Sequence, residues 1–413
     1  MSEPIRVLHF ADIHIGMENY GKTDPRTGLS SRVVDFLRRM DEMTDYARQQ
    51  DVDLIIFAGD AFKTRAPNPT YQREFAHRIR DLSELAPIVM LVGNHDLPPT
   101  LLKASSIEIY DTLRVPNVRV AADFEVFTVE TKRGPVAVGT APYPIRSRLL
   151  EDERTAGMTI AQTDALLQEK LTEILDELTA QADELDMPRL LTGHFSVTGA
   201  VYGSERGIML GRDIQILLSS LADLRWDYVA LGHIHKHQNL TKGQKGVPPV
   251  VYSGSMERID FGEEGDPKGF CWVELQRGKA KWRFEELPAR PFVTLSADLR
   301  KSANPTEQVL KLIKKHDLNE AVVRVSIQLS PETDALLNET TVRDELKRAG
   351  VSQMAAIRKQ VEQPIRARLG GSPEGLSHAE LLERYFLSKE VPAEQRTRLL
   401  EVAENIIEKI SSS

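Results

Sequence analysis

Five times in the first 235 residues a short apolar run stops and a residue able to hold a metal ion follows at once. Asp12-Ile13-His14 follows Ile5–Phe10, Gly59-Asp60 closes Leu54–Ala58, and Gly93-Asn94-His95-Asp96 follows Ile88–Val92. Gly193-His194 follows Leu190–Thr192, and Gly232-His233-Ile234-His235 follows Tyr228–Leu231. Runs this short and this rich in Val, Ile and Leu are strands buried on both faces, and Val136–Gly139 is another. Long polar-apolar stretches, Ser31–Gln50 and Ile160–Leu185, read as the helices that cover them. The class is α/β, in a layered α/β/α arrangement. In such sheets functional residues gather where strands end, so segments distant in sequence converge in one cleft.

The residue types in these five segments point to metal chemistry. Asp12 and His14, like His233 and His235, are two apart and point the same way from an extended chain. A glycine just before a ligand lets the backbone turn tightly or approach closely. Mixed His, Asp and Asn ligands suit Mn, Fe or Zn better than an all-oxygen Ca or Mg site. Two such ions side by side can hold a phosphodiester and generate hydroxide near neutral pH. Each piece alone is weak. GNHD by itself reads equally as a turn with local backbone hydrogen bonds, and a lone DIH or GHIH reads as chance. The ordered set is different, since it takes five of the ten histidines. Four of the remaining histidines take ordinary readings: His9 in the core, His77 and His316 on helix surfaces, His237 in a solvated loop. Cys271, the only cysteine, reads as a small core residue.

At 413 residues the chain has room for two or three domains. The pattern changes near Leu287–Pro291. Phe292–Leu299, Ala321–Leu329 and Gln353–Val361 read as strands, and Pro305–Lys315 and Thr340–Ala349 as helices, together a small α+β unit. Gly370-Gly371-Ser372-Pro373 reads as a linker. Two helices follow, the first with Ser377 and Glu380 as a capping box. The second carries an apolar stripe of Leu399, Val402, Ala403, Ile406 and Ile410. The expected domains are 1–284, 285–365, a linker 366–376, and a helical tail 377–413. One cysteine rules out an internal disulfide and fits a reducing cytoplasm. No signal peptide or membrane-spanning run is evident. The net charge of −8 argues only weakly against a nucleic-acid partner, because bound metals or a partner subunit can supply the positive field.

The ordered set D-x-H, GD, GNHD, GH, GHxH resembles the calcineurin-like metallophosphoesterase superfamily. GDAFKTR and LVGNHD lack the arginine placements of its protein phosphatases. Ala11–Gly16, Tyr252-Ser253-Gly254-Ser255, Asp260-Phe261-Gly262-Glu263 and Lys268-Gly269-Phe270 are similar to the SbcD family of exonuclease subunits, relatives of the nuclease of the eukaryotic double-strand-break repair complex. The resemblance covers roughly 5–275. It implies a central β-sandwich flanked by helices, with a small α+β cap and C-terminal helices. It implies a manganese-dependent DNA nuclease with 3′–5′ double-strand exonuclease and single-strand or hairpin endonuclease activity.

It also implies two metal sites sharing Asp60, one completed by Asp12, His14 and His235, the other by Asn94, His194 and His233. The expected cofactors are two Mn2+ ions, with Mg2+ or another divalent ion as substitutes. His95 becomes the catalytic histidine that assists the leaving 3′-oxygen, oriented by Asp96. Lys63 stands where many members have a second histidine, and a lysine cannot shuttle protons like imidazole near pH 7. DNA is the implied substrate and an SbcC-type SMC-like ATPase the implied partner, bound through the tail helices. A homodimer is implied too, for which Leu101–Leu113 is a candidate helix. A small-molecule or phosphoprotein phosphoesterase shares the metal motifs but needs neither the extra unit nor the tail. A degenerate, non-catalytic scaffold is expected to have lost ligands that are all present here.

Overall fold

The structure is a computed structural model. It describes residues 3–98, 103–150, 155, 157–203, 213–362, 377–389 and 391–411, with side chains of the last helix as far as Glu404. Two six-stranded sheets form its centre. The first runs in the order Lys279–Glu286, Gly269–Gln276, Ile5–Phe10, Leu54–Phe57, Ile88–Leu91, Val118–Ala121. The second runs Gln238–Asn239, Val250–Tyr252, Tyr228–Gly232, Arg189–His194, Val136–Ala141, Glu125–Val129. Within each sheet the strands that lead into the metal-ligand segments are parallel to one another, whereas Gly269–Gln276 pairs antiparallel with Ile5–Phe10.

Strand alternation assigns every apolar side chain to a layer. Ile5, Val7, Leu54, Ile56, Val89 and Leu91 lie in one buried cluster with Val138, Leu190, Tyr228 and Ala230 of the other sheet. Leu8, Phe10, Ile55, Phe57, Ile88 and Met90 face the opposite way, toward a cluster holding Val33, Leu37, Met40, Met43 and Ala47 of helix Ser31–Gln49. Helix Ile160–Asp183 covers the second sheet through Leu167, Leu171, Leu175, Leu178 and Ala182. Each of these helices buries one stripe at three- and four-residue spacing. The result is helix, sheet, sheet, helix. Local sequence sets the helix starts: Ser30 and Asn68 cap Ser31–Gln49 and Pro69–Ser83, and Thr159 with Gln162 forms a capping box. A cap of this kind is worth about 1 kcal/mol.

A separate three-stranded sheet takes Phe292–Asp298, Val322–Leu329 and Gln353–Val361 in that order. The chain divides into two compact units, 1–295 with 310–325 and 340–357, and 296–309 with 326–339 and 358–413. In the second unit Lys359 bridges Asp334 and Glu339, and Arg300 pairs with Asp298 and Glu362. Its tail forms helices His378–Ser388, with the Ser377–Glu380 capping box, and Ala393–Ser411. Tyr385, Leu387, Leu399 and Val402 are exposed there. The expected linker 366–376, with Gly370–Pro373, lies outside the described residues, as do the side chains of Ile406 and Ile410.

Two expectations need correction. Of the Leu101–Leu113 segment only Ile109–Thr112 is helical among the described residues, a single turn. His237 is not in a solvated loop: its ring stacks on Phe284 at 4.0 Å between centroids, and its Nδ1 lies 2.9 Å from the Tyr252 carbonyl. The edge strand Lys279–Glu286, whose alternation of polar and aromatic residues looks like surface, supplies that Phe284. His9 does sit in the core, bridging the sheets from Ile5–Phe10 to the Tyr228 hydroxyl (3.1 Å) and the Leu231 carbonyl (3.2 Å). Burial pulls its imidazole down to about 3.

Candidate metal centre

The ligand segments leave the two sheets at one edge and lace together through the backbone. The N–H groups of Asp12 and Ile13 donate to the carbonyls of Gly59 and Asp60 at 3.0 Å each, and Ile15 donates to Ala61 at 2.9 Å. Asp12, His14, Asp60 and His233 all adopt left-handed backbone, with φ of 54°, 48°, 64° and 92°. Non-glycine residues there cost on the order of 1–3 kcal/mol each and persist only where the surroundings impose them. Close approach explains the preceding glycines. A Cβ at Gly93 would collide with the Asp60 carboxylate, and one at Gly232 with the Ala58 carbonyl.

Asp96 fixes this lacework. Its buried carboxylate accepts the N–H groups of Asp60 (2.8 Å), Ala61 (3.0 Å) and Gly93 (3.0 Å), tying the GD turn to the GNHD turn. It does not orient His95, the role the resemblance implied for it, because its oxygens are committed to these amides and to Ser106. The Lys63 carbonyl does that instead, 2.8 Å from His95 Nδ1. Lys63 is therefore present at the site through its backbone. The His95 amide donates to Asp60 Oδ1 at 2.8 Å.

All seven expected ligands meet in this pocket. His14 Nε2 faces His235 Nε2 at 3.0 Å and lies 3.6 Å from Asp60 Oδ2. Asp60 Oδ2 is 3.4 Å from His194 Nε2. Asn94 Oδ1 stands 3.1 Å from both His194 Nε2 and His233 Nδ1. The Asp12 carboxylate accepts the His233 amide at 3.0 Å. Donor atoms of Asp12, His14 and His235, of Asp12, Asp60 and His194, and of His14, Asp60 and His95 lie close enough within each trio to share one ion.

The outer nitrogens settle the tautomers. His194 Nδ1 lies 2.6 Å from the Ala58 carbonyl, which can only accept. His235 Nδ1 lies 3.0 Å from Glu263, and His233 Nε2 lies 2.8 Å from Asp213. Each outer nitrogen donates, so the inner nitrogen is the one turned to the shared space, free to give its lone pair to a metal once it carries no proton. This is how metal-binding imidazoles are held. Glu263 is wholly buried and salt-bridged to buried Lys268 at 2.8 Å. Burial alone would raise its carboxyl, but Lys268 and then His235 hold it well below the usual range. Asp213 is held likewise by His233, Ser196 and Tyr143 against the effect of burial. Glu263 and Lys268 fall in motifs that carried the family resemblance without a stated role. Asp213, in Gly211-Arg212-Asp213, carries no signal in the sequence.

The pocket is short of positive charge. Burial, followed by the neighbouring Asp60, pushes the Asp96 carboxyl up to about 6. Burial also raises Asp12, partly offset by the histidines. Burial would lower His194, but Asp60 outweighs it and raises the imidazole to about 9. A proton is thus drawn to the position a cation would take. Converging lone pairs around crowded carboxylates fit one or two divalent ions.

A helix-flanked β-sandwich that gathers such a pocket at its loop edge is the frame of a hydrolase of phosphoester bonds. The chain belongs to the calcineurin-like phosphoesterase family, whose model matches residues 5–237. It is similar to the SbcD subunit of nuclease SbcCD from Bacillus subtilis (strain 168), at 28% identity over 344 residues, 79% of this chain and 81% of that one. It is also similar to the SbcD subunit of nuclease SbcCD from Escherichia coli (strain K12), at 29% over 315 residues, 74% of each chain. A solved dimetal phosphatase from Danio rerio matches 68% of this chain and 99% of its own, with TM-score 0.41 and 9% identity. No helix among the described residues is long and apolar enough to cross a membrane.

Proposed function

We propose that this protein is the nuclease subunit of an SbcCD-type complex, a divalent-metal DNA nuclease using Mn2+. The observation that carries the proposal is the set of imidazoles fixed in one tautomer around Asp60. Asp12, His14, Asp60 and His235 would hold one ion, and Asp60, Asn94, His194 and His233 the other. Bound there, the pair would supply charge neutralisation on a phosphodiester and an activated water. The chain's own groups do the rest. Asp96 holds the Asp60 and Asn94 turns in register. Glu263 and Asp213 keep His235 and His233 in the ligating tautomer. His95, anchored through Nδ1 on the Lys63 carbonyl, turns Nε2 to the pocket, where it can pass a proton to the leaving 3′-oxygen.

The similarity to the SbcD subunits of nuclease SbcCD supports a nuclease that acts with an SbcC-type partner; in this reading it is a double-strand 3′–5′ exonuclease and single-strand or hairpin endonuclease that acts as a homodimer with an ATPase. In this reading 1–284 is the nuclease domain, 285–365 its cap, and the 377–413 helices dock on the ATPase through a face that includes exposed Leu399 and Val402. The test is cleavage of duplex, hairpin and single-stranded oligonucleotides with Mn2+, Mg2+ or Zn2+, with and without the ATPase. Hydrolysis of small phosphodiesters with no DNA cleavage under any condition refutes it.

A further inference from the structure

Beside the metal-ligand cluster lies a cleft of about 580 Å³. That is within the range of ligand clefts, roughly 300–1,000 Å³, and far too small for a duplex. Its wall is joined to the centre. Tyr143, which lines it, has its ring 5.8 Å from that of His233 and 6.4 Å from that of His194, and its hydroxyl reaches Asp213. Leu97, also in the lining, directly follows Asp96.

The lining combines two features. Arg65, Lys103, Arg146 and Arg148 reach it, against two carboxylates, Glu108 and Asp123. This is a local excess of positive charge on a chain whose net charge is −8. Arg146 is paired with Asp164, and Arg148 lies only 3.8 Å from exposed Asp123. Arg65 and Lys103 are exposed and have no carboxylate partner among the described residues. Among these cations stand aromatic faces, Phe124 and Tyr143. Cations that track a backbone and aromatic faces on which bases stack are the means of holding single-stranded nucleic acid.

We propose that this cleft is a subsite for one nucleotide of a single strand, the one next to the scissile phosphate. Its base lies against Phe124 and its phosphate between Arg65 and Lys103. The inference rests on the nucleic-acid reading of the metal centre and deepens it. A substrate therefore needs an unpaired nucleotide beyond the bond to be cut, and a duplex must fray before it is accepted.

The test is binding of a fluorescent single-stranded DNA oligonucleotide followed by anisotropy in chelator, so that no bond is cut. Compared with wild type, Phe124→Leu is expected to lose about tenfold in affinity, the scale of a lost base stack. The double variant Arg65→Ala/Lys103→Ala is expected to lose at least as much, and its log affinity should fall with log salt less steeply by roughly 0.7 for each lost contact. Unchanged affinity and salt slope in both variants overturn the subsite. The melting temperature and the bound Mn2+ content report whether each variant is folded. A second arm takes wild type and Phe124→Leu and scans a single abasic position along the oligonucleotide in a cleavage assay. One position flanking the cut should lower kcat/KM about tenfold, and Phe124→Leu should be indifferent to it. Equal sensitivity in both proteins also overturns the proposal. Failure of the nuclease reading shows separately, as absence of DNA cleavage by wild type in Mn2+ while bis(p-nitrophenyl) phosphate is hydrolysed.

Discussion

Glu263 and Lys268 form a buried ion pair directly behind His235, one of the proposed metal ligands, so stability and metal affinity can be separated there. Glu263→Ala leaves Lys268 and His235 without their carboxylate in a dry site. Breaking one side of a buried pair costs about 3–5 kcal/mol, a large share of the roughly 5–15 kcal/mol that holds a domain folded. Removing both charges, as Glu263→Leu/Lys268→Met, should recover most of this, since apolar replacement of a buried pair is near neutral. The recovery is incomplete because the Ile259 amide also loses its acceptor, 2.9 Å away, at about 1–3 kcal/mol. Metal affinity should behave differently. In both variants His235 loses the group that fixes its tautomer, which costs about 10–100-fold, or roughly 1.4–2.7 kcal/mol. Urea unfolding of the metal-free protein reads the first quantity, and calorimetric titration with Mn2+ reads the second. The expected pattern is a double variant with restored stability and persistently weak metal binding. Wild-type metal affinity in the double variant would show that Glu263 serves only Lys268, and the argument from fixed tautomers would fail for His235.

Asp60→Asn should abolish Mn2+-dependent cleavage and reduce bound metal as measured by elemental analysis; wild-type activity would remove the shared-ligand assignment. His95→Ala should lose about 10²–10⁴-fold in rate while retaining both metals and DNA affinity, and a missing ion would make His95 a ligand instead. His194 is raised from 6.5 to about 9 without metal, so an incoming ion must expel its proton; apparent Mn2+ affinity should rise about tenfold per pH unit up to about pH 9 and then level off. The same upward shift means the His194–Asp60 pairing stabilises the metal-free protein fully below about pH 6.5 and is lost as pH rises toward 9, which a falling melting temperature across that window would report. Truncation near Gly370 should leave a folded, metal-binding protein that no longer retains the ATPase in a pull-down; retention, with a lowered melting temperature, would return the tail stripe to the chain's own core.

Much of the centre is legible because each ligand directly follows a strand that is buried on both faces. The Val/Ile/Leu runs ending at Phe10, Phe57 and Leu91 are unambiguous, and period-two alternation then sorts their side chains into layers. The supporting groups are less legible. Glu263 acts through a turn, Phe261–Glu263, 28 residues beyond His235. Lys63 acts through its carbonyl, which residue type does not disclose. Asp96 looks like a partner for its neighbour His95, but three amides compete for its oxygens and win. The strand pair Gly269–Gln276 and Lys279–Glu286 is obscured because its outer member mixes lysine, arginine and glutamate with Trp282 and Phe284, one face of an edge strand.

The antiparallel pairing of Ile5–Phe10 with Gly269–Gln276 has a consequence for biogenesis. Ile5 meets Leu275, made 270 residues later. At roughly 5–20 residues per second of synthesis, the first strand waits about 14–54 s for that neighbour. During this interval a nascent chain carries an apolar strand with one open edge, a template for mispairing that a ribosome-associated chaperone would have to shield. His235 and Glu263 emerge late in the same interval. The hydrolytic centre therefore cannot assemble on a short nascent chain, and most of the polypeptide leaves the ribosome before its destructive chemistry is possible.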